Sequence, residues 1–90
     1  PQLAAFARTA LRFDEAHCAA PTCSPSRVAM LTGLSPHEAG MVGLAHRGFA
    51  MTRPERHLAV RLRAHGYETA LAGIQHEWAF QAPLPYEHVL

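Results

Sequence analysis

The feature that most constrains the fold of this chain is a helix-start pattern within residues 23–33, which read CSPSRVAMLTG. Ser24 followed by Pro25 predicts the first turn of a helix, because serine accepts hydrogen bonds from free backbone N–H groups and proline fits the first helical position. Cys23 would then lie at a helix N-terminus, where partial positive charge and unpaired N–H groups attract anions. Arg27 carries a fixed fork of donors that suits a tetrahedral oxyanion. The pattern predicts a nucleophile, an anion pocket and an arginine close together.

Two interpretations of these residues stay open on helix physics alone. A lone cysteine at a helix start is usually a small buried hydrophobe, and Arg27 would then be an ordinary surface charge. The spelling Cys-x-Pro-Ser-Arg from Cys23 to Arg27, with Thr32-Gly33 after it, resembles the signature of the sulfatase family. In that family a maturation enzyme converts the cysteine to formylglycine, an aldehyde. The resemblance therefore implies that the nucleophile of the reaction is formed at position 23 after synthesis.

A second motif lies further along the chain. Residues 66–76, GYETALAGIQH, are similar to the sulfatase segment G-Y-x-T-x-x-x-G-K-x-H. His76 matches the histidine that contacts the reacting hydroxyl or the sulfate group in that family. Ile74 stands at the position of the family lysine, which neutralises sulfate charge. The resemblance then requires another cation, with Arg47 the nearest candidate, or a site that has changed its substrate or lost activity.

The segment between the two motifs indicates which branch of the family the chain resembles. Residues 32–44, TGLSPHEAGMVGL, look like the sulfamidase-like (heparan N-sulfatase-like) branch of the sulfatases. From this region His46 and Arg47 are predicted to bind substrate, and His37 is a further candidate. The alternative is that His37 supports the loop while the other two side chains are solvated, because loops carry both roles.

The resemblance implies a hydrolase of sulfuric esters or sulfamates. One hydroxyl of the hydrated aldehyde at position 23 attacks sulfur, and the second allows collapse to the aldehyde with release of inorganic sulfate. Arg27 and a divalent cation, calcium or else magnesium, would stabilise the developing charge, with residue 23 among the metal ligands. The acidic ligands of the family are missing here, since Asp14 is the sole aspartate. We therefore expect these 90 residues to be inactive by themselves.

Helical and extended patterns alternate along the chain. The expected order is a helix within 3–11, an extended segment toward Cys18, a loop at 19–24, the Cys23 helix, a long loop with one helical turn at 34–54, a helix at 55–65 that Gly66 ends, and a strand at 67–72. This order predicts an α/β fold. The resemblance implies part of an alkaline-phosphatase-like sheet flanked by helices, with residues 1–90 an N-terminal part of the catalytic domain that lacks both ends.

Composition limits the partners of this chain. A net charge of +1 gives no reason to expect nucleic acid or an anionic membrane, and no apolar run is long enough to span a bilayer. The expected partners are a sulfated small molecule or sugar and the formylglycine-generating enzyme. The true N-terminus is expected upstream, so cytoplasmic and exported locations both stay open.

Several alternatives remain at this stage. Cys18 and Cys23 would allow a disulfide or half of a zinc site, although zinc needs a second ligand pair; we predict instead that Cys18 is a buried thiol at a strand end. Phosphonate monoester and phosphodiester hydrolases of the same superfamily share the formylglycine motif. The loss of the lysine at Ile74 also fits a non-catalytic member that binds sulfated ligands.

Overall fold

The computed structural model describes residues 1–79 and 81–90. This part of the chain contains three α-helices, α1 (Gln2–Ala7), α2 (Cys23–Thr32) and α3 (Leu58–Ala64), and two short strands, β1 (Ala70–Leu71) and β2 (His88–Val89). Two 3-10 turns, Ala45–Arg47 and Pro54–Arg56, lie between α2 and α3. None of the described helices combines the length and the apolar character needed to cross a lipid bilayer.

Helix α2 begins and ends where its local sequence allows. Thr22 precedes it in an extended conformation. Cys23 lies at the helix N-terminus as predicted, but it is itself the first helical residue, whereas Pro25 was expected at that position. Gly33 ends the helix with φ of +69°, a left-handed conformation that glycine adopts without a Cβ clash, and its N–H donates to Ala29 at 2.9 Å. The prediction that Ser24 caps this helix is wrong, because its side chain is buried and bonds to a distant part of the chain.

The core of the structure lies between α2 and the long loop that follows it. Its buried members share an apolar character and small or flexible side chains: Val28, Ala39, Met41, Ala45 and Met51, with Leu34 and Trp78 packed against them. The loop turns tightly at Gly40, whose φ is +73°, and a Cβ there would lie 2.5 Å from the Thr52 methyl group. The prediction that residues 34–54 form a loop with one short helical turn is confirmed.

The predicted helix at 55–65 is interrupted at His57. This residue is extended, with ψ of 134°, and separates the 3-10 turn Pro54–Arg56 from α3. The interruption has a physical cause, because the His57 side chain is fully buried and its Nδ1 accepts the N–H of Ala59 at 3.2 Å. His57 thus caps α3. Gly66, with φ of +81°, follows its end as predicted.

The strands form a parallel pair that is smaller than expected. The predicted strand at 67–72 is reduced to β1, which pairs with β2 in the register Ala70 to His88 and Leu71 to Val89. The sequence pattern did not indicate β2.

Two expectations near the start of the chain are wrong, the extended segment toward Cys18 and the burial of the Cys18 thiol. Residues 11–18 form turns and irregular backbone, whereas the expected helix is present as α1 and stops at Ala7. Cys18 is exposed, and its thiol donates to the carbonyl of Ala20 at 3.1 Å. This segment has no neighbouring strand among the described residues to satisfy an extended backbone, which explains the difference.

Burial of His57 predicts a pH dependence of stability. Burial lowers the pKa of His57, and the negative charge of Glu77 opposes this effect in part. The unfolded state then binds the proton more tightly, so the stability from neutral His57 is complete above the unfolded pKa of about 6.5 and is lost as pH falls toward the folded pKa.

The variant His57→Asn tests this expectation, because asparagine also caps helices but does not titrate. Between pH 7.5 and pH 5.5, the free energy of unfolding from urea titrations should fall more steeply for the native chain than for the variant. Equal slopes in the two proteins would contradict the assignment.

Candidate active site

Cys23 is positioned for reaction with molecules from solvent. It is exposed, it forms no disulfide, and no side chain caps the helix that it begins. The first backbone N–H groups of a helix have no partner within the helix, so those beside Cys23 can donate to an anion. Exposure excludes the reading of Cys23 as a small buried hydrophobe.

Ser24 joins the start of α2 to the turn that carries His46 and Arg47. The Ala45 N–H donates to the Ser24 hydroxyl oxygen at 3.2 Å, and both residues are buried. A buried bond of this kind is costly to break, because the unpaired N–H would lose its solvation as well. The sequence pattern predicted helix capping by Ser24 and did not indicate this contact. Ser24 and Ala45 are 21 residues apart in the sequence, so this contact depends on the tertiary fold and not on local sequence.

Arg27 joins the same helix to the segment that carries His76. Its Nη1 donates to the carbonyl of Ile74 at 3.4 Å and lies 3.8 Å from Oε1 of Glu77. Ile74, at the position of the family lysine, therefore contributes a backbone oxygen and no charge. Since Cys23 and Arg27 are four residues apart on α2, their side chains share one face of the helix.

The two connections place His46 and His76 at one cavity of about 170 Å³. The lining residues share a polar or aromatic character except for one alanine: Ser24, Ala45, His46, Gln75, His76 and Trp78. Cys23 directly precedes the lining residue Ser24 in α2, and Arg27 follows it by three residues. Neither Cys23 nor Arg27 lines the cavity. A larger hollow of about 530 Å³ lies along α2 beside Cys18 and Met30, and contains none of the predicted site residues.

Gln75 fixes the turn that presents His76. Its side-chain oxygen accepts the N–H groups of Glu77 at 3.0 Å and Trp78 at 2.9 Å, while its amide donates to the Trp78 carbonyl at 3.4 Å. The turn therefore keeps its shape without a helix or strand. The sequence motif counts this position as variable, and only the paired N–H contacts reveal its role.

Arg47 and His37 do not reach the cavity lining. Arg47 is exposed at the end of the turn Ala45–Arg47, beside His46. His37 is exposed too, and the loop around it is held by Ser35 and Glu38 instead. The Ser35 hydroxyl donates to the Glu38 carboxylate at 2.7 Å, and this hydrogen bond lowers the pKa of Glu38.

The residues of this chain do not by themselves fit a divalent cation. Within residues 1–79 and 81–90, no three histidine, cysteine or acidic side chains gather closely enough to hold a metal. Calcium and magnesium prefer several oxygen ligands, whereas Cys23 offers one soft sulfur. The same finding removes support for the zinc alternative, and both cysteines are free.

Comparison with known proteins is consistent with this site. The family model described as Sulfatase matches residues 1–86. Human N-sulphoglucosamine sulphohydrolase is 38% identical over 78 residues, covering 84% of this chain and 16% of that protein. Mouse steryl-sulfatase is 34% identical, with 84% and 14% covered, and mouse arylsulfatase G is 39% identical, with 79% and 14% covered. No solved structure gives a significant match.

The chain belongs to the sulfatase family. Membership implies the alkaline-phosphatase-like α/β fold, of which the described residues contain a parallel strand pair and three helices. The chain spans 14 to 16% of the length of these three relatives.

The Gln75 contacts predict a specific stability difference between two variants. Gln75→Ala removes the acceptor of two partly buried N–H groups and should lower the free energy of unfolding by about 1–3 kcal/mol. Gln75→Glu keeps an acceptor of the same length and should cost less than half as much. Urea unfolding of both variants measures the difference, and equal losses would show that the side-chain oxygen does not hold the turn.

Proposed function

We propose that the protein containing this chain hydrolyses sulfuric esters or sulfamates, with residue 23 as formylglycine providing the nucleophile. The observation that carries this proposal is the exposure of Cys23 at the start of α2, directly before Ser24, which lines the cavity with His46 and His76. Family membership supports the reaction class. Residues 1–90 would be an N-terminal part of the catalytic domain.

The side chains around Cys23 have separable roles in this proposal. Arg27 binds the oxygens of the sulfate group, because its guanidinium offers several donors on the same helix face as residue 23. His76 contacts the reacting hydroxyl or the sulfate, and His46 binds substrate across the same cavity. Arg47 is exposed next to His46 and would meet the outer part of a larger substrate.

Residue 23 is suited to the modification because its side chain is accessible. When formed, the hydrated aldehyde supplies one hydroxyl to attack sulfur and a second to release sulfate. A maturation enzyme must reach the cysteine, and exposed Cys23 meets that requirement. The calcium or magnesium ion that the family implies needs oxygen ligands beyond those found here, and the roles above do not depend on it.

The proposed substrate is a sulfated sugar or small molecule. Human N-sulphoglucosamine sulphohydrolase is named for a sulfated amino sugar, and residues 32–44 resemble that branch. A second candidate is a non-catalytic member that binds sulfated ligands. The uncharged side chain of Ile74 at the lysine position favours this candidate, whereas the exposure of Cys23 favours the enzyme.

The two free cysteines provide a matched test of the proposal. In the full-length protein, produced with a formylglycine-generating enzyme, Cys23→Ala should lower kcat for 4-nitrophenyl sulfate by at least roughly 10³-fold, because the nucleophile is lost. Cys18→Ala should leave kcat within about two-fold, since Cys18 is exposed and lies outside the site. Hydrolysis that survives in Cys23→Ala would overturn the proposed nucleophile.

A further inference from the structure

Glu77 is a buried acidic residue next to the candidate site that the reaction does not use. Its side chain is 3% exposed, compared with 43% for Arg27. One carboxylate oxygen lies 3.8 Å from the Arg27 guanidinium, and the other has no hydrogen-bond partner among the described residues. Buried carboxylates are rare unless a positive charge accompanies them. Arg27 is the cation that accompanies Glu77.

The position of Glu77 brings its charge close to any anion that Arg27 binds. It directly follows His76, and its N–H is held by the Gln75 side chain that shapes this turn. Because the carboxylate is buried while Arg27 is partly exposed, solvent screens Glu77 less than it screens the arginine. An anion bound by Arg27 therefore experiences both the attraction of the guanidinium and the repulsion of the carboxylate.

Among the described residues, Arg27 is the cation paired with Glu77, and no arginine lines the neighbouring cavity. The charge of Glu77 also acts on His57. Ile74, Gln75 and Trp78 are uncharged, and Arg47 does not line the cavity. His46 and His76 are the titratable groups in the lining. Repulsion by Glu77 grows with the charge of the ligand, so it opposes a dianion about twice as strongly as a monoanion at the same place.

We propose that Glu77 is a specificity-determining residue that favours singly charged tetrahedral esters over doubly charged phosphate monoesters. Sulfate monoesters, sulfamates and phosphonate monoesters carry one negative charge, whereas a phosphate monoester carries two above its second pKa of about 6. The inference rests on the proposed function in that Arg27 binds the anion. It does not depend on the nucleophile.

The test compares three esters with one leaving group at pH 8, in the matured full-length protein: 4-nitrophenyl sulfate, 4-nitrophenyl phosphate and 4-nitrophenyl phenylphosphonate. Glu77→Gln keeps the side-chain shape and removes the charge. The kcat/KM ratio of phosphate to sulfate should rise roughly ten-fold. The phosphonate to sulfate ratio should stay within about two-fold, because both esters are monoanions.

Glu55→Gln is the matched control. Glu55 also lies near an arginine, with its Oε1 3.5 Å from Arg53 Nε, but both side chains are exposed and outside the cavity. In Glu55→Gln, the phosphate to sulfate and phosphonate to sulfate ratios of kcat/KM should equal those of the protein without a substitution. Glu77→Ala removes the charge with a different packing change and should shift the ratio in the same direction, so the test survives if Glu77→Gln unfolds.

Binding separates this inference from the proposed function. In a Cys23→Ala background no turnover occurs, and calorimetry gives affinities for the sulfate and phosphate esters directly. If the unmodified protein shows no hydrolysis but Glu77→Gln still shifts the affinity ratio roughly ten-fold, the hydrolase proposal fails and the role of Glu77 stands. Hydrolysis with an unchanged phosphate to sulfate ratio, or an equal shift for the phosphonate, overturns the role of Glu77. Failure to bind either ester overturns both.

Discussion

The helical period of α2 is the constraint on which the candidate site depends. Residues four apart share a face, so Cys23 and Arg27 point one way while Ser24 and Val28 point into the protein. The inward pair anchors the helix, since Val28 is fully buried and the Ser24 oxygen accepts the Ala45 N–H at 3.2 Å. Cys23 and Arg27 can therefore take part in a reaction without contributing to the buried core. Within one turn of the helix, one pair of residues stabilises the fold and the other is available to a ligand.

The opposite wall of the site relies on side-chain hydrogen bonds. Residues 73–79 contain no helix or strand. The Gln75 side-chain oxygen accepts two backbone N–H groups there, in place of the backbone hydrogen bonds of a regular element. Glu77, on the same turn, meets Arg27 from α2, and its charge acts on buried His57 as well. The candidate site is thus assembled from one helix and two irregular segments.

The sequence predicted the local features well and the long-range ones poorly. The placement of Cys23 at the N-terminal end of α2 and the stop at Gly66 depend on neighbouring residues, and both are confirmed, although α2 begins earlier than the Ser24–Pro25 pattern predicted. The break at His57 and the pairing of β1 with β2 depend on contacts between distant segments, which periodicity does not contain. The motif placed Cys23 and His76 near one site, but it gave no indication that Glu77 would be buried against Arg27.

Peptide mass spectrometry on protein from its native host shows whether Cys23 is converted to an aldehyde. Trypsin cleavage after Arg12 and Arg27 releases residues 13–27, which contain both cysteines. We expect an aldehyde at position 23 and an ordinary thiol at Cys18 in the same peptide. Two unmodified thiols, in a host that matures other sulfatases, would contradict the formylglycine mechanism and favour a protein that binds sulfated ligands without hydrolysing them.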